Sequence, residues 1–242
     1  MIVTILISVH LLVDFLFQTS AYSEKKRKKL KPLLLHCLIY FIIFEIVLLS
    51  ILQFKKAILV GMIISVLHFL INFIKNKLEK SFSQKRLQIW IFSINQLIYF
   101  ALLIGMNYIF NLENSVSNLY IKLQGYENFK IIILYFSVFS IIFEPASVFI
   151  RKLFTSISPK IYPKANLEEL KAGNIIGKLE RIIIAILLLN NQFGVIGFVL
   201  TAKSIARFKQ MENRDFAEKY LIGTLTSFLI VLISVLILKG LL

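Results

Sequence analysis

The chain is poor in charge, cysteine, proline and glycine. Only 17% of its 242 residues are charged, against about 25% in soluble globular domains. That composition excludes an aqueous globular enzyme, a disordered protein and a coiled coil. A single cysteine, Cys37, excludes a disulfide scaffold and says nothing about compartment. Four prolines and nine glycines leave no low-complexity linker. A His-Glu-x-x-His motif and a serine or cysteine nucleophile elbow are also missing. What is present is apolar: 58% of residues are hydrophobic, with a mean hydropathy of +0.80. An all-α polytopic membrane helix bundle follows. With one span per about 20 apolar residues, the length has room for about six to eight.

The formal charge is +15, from 28 Lys and Arg against 13 Asp and Glu. In a water-soluble protein this would suggest nucleic acid. In a membrane protein the basic residues mark the cytoplasmic side and attract anionic lipid headgroups. The expected partners are therefore the lipid bilayer and its anionic headgroups, with no nucleic acid. The run Lys25–Lys31 reads as an orientation signal, or else as a docking surface for a cytosolic protein partner.

Six apolar runs read as spans: 2–17, 33–53, 57–74, 89–110, 131–150 and 220–238. The first is short. It lacks a basic leader and a small-residue cleavage site, and it contains His10 and Asp14, so it reads as a retained helix rather than a removable signal. The stretch 182–200 differs, because Asn190-Asn191-Gln192 divides it into two short apolar pieces. It is either a seventh, polar-interrupted span or a re-entrant hairpin. If it re-enters, alternate loops place 23 of the 28 basic residues on one side; the positive-inside rule favours that arrangement. Both termini would then lie outside and the basic loops in the cytoplasm of a bacterial inner membrane. The expected division is an N-terminal four-helix region, 1–110, and a C-terminal region, 111–242, that holds the interrupted segment.

Ionisable groups inside spans cost roughly 2.5–3.5 kcal/mol each on insertion scales and normally mark function. All three histidines, His10, His36 and His68, fall in spans, as do Asp14, Glu45 and Glu144. His10 and Asp14 stand at i, i+4 on one helical face, and His68 and Asn72 repeat that spacing. Counted at 1.5 Å per residue from the cytoplasmic ends, His10, Asp14, His36, His68, Asn72 and Glu144 all lie within about 10 Å of the inner boundary. Imidazole with carboxylate or amide oxygen suits one divalent metal, Zn²⁺, Fe²⁺ or Mn²⁺. The metal candidates are His10, Asp14, His36, His68 and Asn72, and the catalytic candidates Asp14 and Glu144. The same layer would also serve as a proton relay, or as interhelical hydrogen bonds and nothing more. Glu45, nearer mid-span, reads as a neutral hydrogen-bonded acid or as the edge of a wet cavity.

A second polar cluster flanks the interrupted segment. Glu180 and Arg181 open it, and Lys203 and Arg207 close it at i, i+4. In a hairpin these ends meet at the cytoplasmic surface. They form either snorkelling charge or an anion site.

The order His10-Leu-Leu-Val-Asp14-Phe-Leu-Phe-Gln18, a basic loop, Leu34-Leu35-His36 and His68-Phe-Leu-Ile-Asn72 resembles the bacterial membrane family catalogued as domain of unknown function 3307. The stretches Glu180-Arg181, Ala202 to Phe208 and Leu221 to Leu225 are similar to members with a long C-terminal extension. The resemblance implies a bacterial multi-pass membrane protein and no established activity. The family pattern has an Asp where this chain has Asn72, which puts a base at that position in doubt. Three functions compete: a metal-dependent hydrolase of a membrane-embedded substrate, a transporter of a cation or small solute, and a non-catalytic scaffold or sensor.

Overall fold

The computed structural model describes residues 1–16, 30–81, 86–157 and 167–241. The described residues are almost wholly helical. Five stretches are long and apolar enough to cross a membrane: Leu30–Ile51, Phe54–Ser81, Leu87–Phe110, Phe129–Ile157 and Arg214–Leu241. Two shorter apolar helices, Ile2–Phe15 and Phe193–Ala206, accompany them. This fits a membrane protein. Gln18 and the basic run Lys25–Lys29 lie outside the described residues.

By internal contacts the chain divides into two compact units, Met1–Ser140 and Ile141–Leu242. Hydrogen bonds around the turn at Gln53 tie the loop after residue 110 to the first unit. The first unit is built on α1 (Ile2–Leu16), α2 (Leu30–Ile51), α3 (Phe54–Ser81) and α4 (Leu87–Phe110). Pro32 sits in the first turn of α2, where its missing N–H costs nothing. Helices α2 and α3 form a tight antiparallel hairpin around Gln53, whose carbonyl accepts from Lys56 N (3.0 Å) and Ala57 N (2.9 Å). Their facing stripes recur at three- and four-residue spacing: Leu33, His36, Tyr40, Phe44, Leu48 and Ile51 on α2; Ala57, Val60, Gly61, Ile64, His68 and Asn72 on α3. A helical stripe of that period buries one face and leaves Leu34, Leu38, Ile42 and Ile46 exposed on the other. In an apolar solvent that outer face needs no cover.

Helix α4 stops at Asn111, which takes the left-handed conformation (φ 45°) common at helix ends. The chain then folds back over the α2–α3 turn. Gln53 N donates to Ser115 O (2.9 Å), Ser117 N to Ile51 O (2.8 Å) and Ser117 Oγ to Ser50 O (2.6 Å). Carbonyls that the end of α2 would leave without partners are thereby satisfied. Ser117 also caps the short helix α5 (Asn118–Gln124), accepting from Tyr120 N at 3.0 Å. Residues 111–124 thus belong with the first unit.

The run 131–150 lies within one stretch long enough to span, Phe129–Ile157, as expected, and a one-residue break at Phe143 divides it into α6 (Phe129–Ile142) and α7 (Glu144–Ile157). Pro145 explains the break at Phe143, because it has no N–H to continue the ladder. The division at 140/141 falls in the last turn of α6, and the second unit takes in α7, α8 (Leu167–Leu189), α9 (Phe193–Ala206) and α10 (Arg214–Leu241). Between α8 and α9 the polar triplet makes a tight turn, with Asn191 left-handed (φ 57°). The two arms run antiparallel. Glu180, before the turn, pairs with Lys203, a near-equal number of residues after it (2.5 Å). The interrupted segment is therefore a helical hairpin by geometry. Asn213 caps α10, accepting from Phe216 N at 3.1 Å.

Candidate functional site

In the first unit α1 packs against α2 and α4, and α3 against α2 and α4. Each helix turns polar residues into the apolar interior at one level. His10 and Asp14 come from α1, His36 and Tyr40 from α2, His68 and Asn72 from α3, and Asn95, Gln96 and Tyr99 from α4. All nine are buried.

The structure draws three of the expected ligands to one point. Asp14, His36 and His68 each offer one ligand atom, and those atoms lie within 4.8 Å of one another. His36 Nε2 is 3.2 Å from Asp14 Oδ1 and 3.2 Å from His68 Nε2. A tetrahedral metal with bonds of about 2.0–2.1 Å places its ligand atoms about 3.3 Å apart. The two observed spacings fit that figure. Both histidines present Nε2 to the group.

Asn72 adjoins the group through its amide. Nδ2 donates to His68 Nε2 (3.0 Å), to His68 O (3.1 Å) and to Tyr99 OH (2.8 Å). Its Oδ1 is buried and reaches no partner among the described residues. Tyr99 OH in turn donates to His68 O at 3.2 Å. The ring of Tyr40 stacks on His68 at 3.6 Å between centroids and 9° between planes. That sandwich fixes the imidazole plane.

His10 stands beside this group, outside the convergent three. Its Nδ1 is 3.2 Å from Tyr40 OH, and its ring lies 4.4 Å from Tyr99 and 5.9 Å from His68, between centroids. Its ring also faces the Gln96 side chain at hydrogen-bonding range, and Asn95 Nδ2 on the same neighbouring helix is buried without a partner among the described residues. Buried polar atoms left so are uncommon, and each calls for water, an ion or a ligand. Together with Asn72 Oδ1 it marks the layer as a site able to take a polar guest. The polar pair Asn95-Gln96 was readable in the sequence as an interruption of the run 89–110. Tyr40 stands at i+4 from His36, the spacing already used for His10 and Asp14.

Glu144 lies in the second unit, at the start of α7, where it pairs with Lys178. Of the second cluster, Glu180, Arg181 and Lys203 come together, and Arg207 turns aside to lie 5.9 Å above the ring of Phe216. Arg181 is buried and points inward. Its Nε donates to Ile142 O (2.6 Å), and its Nη2 to Phe143 O (3.2 Å) and Ser147 Oγ (2.5 Å). Its Nη1 donates to Ser227 Oγ (3.3 Å). These carbonyls belong to the break that Pro145 makes, so Arg181 closes the gap in a broken helix.

A family model described as "Protein of unknown function (DUF3307)" matches residues 2–125, which contain α1 to α5 and the whole His/Asp layer. The chain belongs to the DUF3307 family. The match takes in all four helices that carry the site and ends where the folded-back loop ends, so the family unit coincides with the polar layer and its lid of backbone hydrogen bonds. No curated protein and no solved structure is similar enough to this DUF3307 chain to count as a match.

Proposed function

We propose that this DUF3307 protein holds one divalent metal, Zn²⁺, Fe²⁺ or Mn²⁺, inside a bacterial inner membrane. Asp14, His36 and His68 are its ligands, and Asn72 Oδ1 lies beside the remaining position. The observation that carries the reading is the convergence of three buried ligand atoms from three different helices within 4.8 Å. A metal held by three protein ligands keeps a position for water, which such metals acidify enough to act as a nucleophile near neutral pH. The reaction class this would serve is hydrolysis of a lipid-linked or membrane-embedded substrate. His10, joined to the layer through Tyr40, is the group best placed to exchange a proton beside it. The basic loops face the cytoplasm, the N-terminus faces outside, and the hairpin of α8 and α9 re-enters from the cytoplasmic side; a reporter fused after Lys209 should then read cytoplasmic.

The test is elemental analysis of protein purified in mild detergent without chelator. About one metal per chain is expected, lost in His36→Ala and His68→Ala proteins that still elute as folded species. Full retention of metal in either variant would remove the ligand assignment.

A second reading rests on the same distances. Asp14, His36, His68, Asn72 and Tyr99 also stand at hydrogen-bond spacing in one chain. A single proton between His36 and His68 would complete it. Such a chain serves as a proton relay in a transporter, or as polar glue in a scaffold that docks a cytosolic partner. Absence of metal after reconstitution with each candidate ion would favour it.

A further inference from the structure

We propose that Glu45 is a proton-binding site inside the membrane, a neutral acid seated in a notch that Gly61 opens between α2 and α3. Glu45 follows Phe44 on α2 and lies about 9 Å along the helix from its Ile51 end, well inside a helix about 33 Å long. Both carboxyl oxygens are shielded from solvent and reach no hydrogen-bond partner among the described residues. The seat is specific. A Cβ placed on Gly61 would fall 1.7 Å from Glu45 Oε2 and 2.8 Å from its Cδ, so the carboxyl fills space that any other residue would occupy. The side chain is thus packed inward against α3 with its acid end enclosed.

The surroundings supply no counter-charge. Between the amino terminus and His10, α1 has no ionisable side chain. On α3, Lys55 and Lys56 stand at the opening turn, and Lys56 Nζ is bound to Ser115 Oγ at 2.6 Å. His68 is about 10 Å further along α3 than Gly61, and His36 about 13 Å back along α2. Tyr40, on α2 itself, is joined to His10. On α5, Tyr120 packs against Phe129 and Lys122 is exposed. An ionised carboxylate buried without a cation or donor costs far more than taking up a proton. Glu45 is therefore a carboxylic acid at neutral pH. Its O–H and its acceptor oxygen are free for a proton delivered or withdrawn within the bilayer. This inference stands apart from the metal reading, since it uses neither the ligands nor their layer.

The test is infrared difference spectroscopy of the full chain in phosphatidylcholine vesicles. Wild type minus Glu45→Gln should show a protonated carboxyl C=O band at neutral pH. Loss of carboxylate bands instead would overturn the proposal. Gly61→Ala provides the second arm, because the added methyl meets the ends of two flexible side chains, the Glu45 carboxyl and Leu48 Cδ1 (3.2 Å), and the carboxyl can swing aside and leave the helices paired. Evicted from its notch, the acid should lose the protonated C=O band at neutral pH and gain carboxylate bands. A protonated band unchanged in Gly61→Ala would overturn the role of the notch. If Glu45→Gln does not fold, the wild type and Gly61→Ala spectra decide the question between them.

Discussion

The two units each bury a cluster of polar groups among apolar helices, and they do so with opposite chemistry. In the first unit the cluster brings acceptors together: a carboxylate oxygen and two imidazole nitrogens converge, and Asn72 Oδ1 beside them reaches no partner among the described residues. In the second, the buried group is a cation that gives four hydrogen bonds. Arg181 gives hydrogen bonds to two backbone carbonyls and two serine hydroxyls. Lys178 and Lys203 are matched to Glu144 and Glu180. A carboxylate oxygen and two imidazole nitrogens at one point can hold a cation. A guanidinium that gives four hydrogen bonds holds helices in place. Intramembrane charge alone therefore does not identify a functional centre; the balance of donors to acceptors does.

The largest effect should come from the second unit. Arg181→Ala would leave Ile142 O without its donor and Phe143 O with Ser147 Oγ alone (2.9 Å). A loss of about 2–3 kcal/mol, the cost of an orphaned buried group, is expected in denaturant titration of the protein in detergent micelles. Arg181→Lys should recover only part, because one ammonium cannot span carbonyls that the planar fork reaches together. A loss below about 1 kcal/mol in Arg181→Ala would show that the contrast between the units is misdrawn.

In the first unit the sharper comparison lies among the histidines. His36→Ala should abolish metal binding, whereas His10→Ala should keep most of it, because His10 is outside the convergent group. Equal loss in both would bring His10 back among the ligands. Asn72→Asp would put a carboxylate beside His68. Metal affinity should rise about tenfold, a change typical of groups that support metal ligands. Competition with a fluorescent chelator measures it. In a metal-free hydrogen-bonded chain the same change would put a second acid beside Asp14 and destabilise the fold instead.

The smallest effect is expected at Lys203. Its pair with Glu180 is partly exposed, with side chains 19% and 15% accessible. Lys203→Gln should cost about 1 kcal/mol or less, read from the same denaturant titration. A larger loss would mean that the hairpin of α8 and α9 depends on that pair more than on its apolar contacts.

Much of this was legible in the residues. Hydropathy set the helical class and nearly every span, because runs of about 20 apolar residues have few other uses. Counting residues from the helix ends placed all three histidines in one layer. Depth along a helix carries no information on direction around it, however, so the sequence could not separate His10 from His36 and His68. That separation depends on Tyr40, whose ring fills the space between. The run 131–150 read as continuous because its hydropathy is unbroken. The break required weighing Pro145 against that pattern and finding a donor to close it. That donor is Arg181, 36 residues later, and its role becomes visible only once α8 is packed. The loop after α4 was readable as polar, but its hydrogen bonds to the α2–α3 turn, which tie it to the first unit, were not.

The central claim is that Asp14, His36 and His68 bind a metal as a set. X-ray absorption at the metal edge of the Zn²⁺-loaded protein, beside His36→Ala, tests it most directly. The account predicts a spectrum with imidazole scattering from two histidines at about 2.0–2.1 Å, reduced or lost in the variant. A shell of light scatterers with no imidazole contribution, unchanged in His36→Ala, would contradict it.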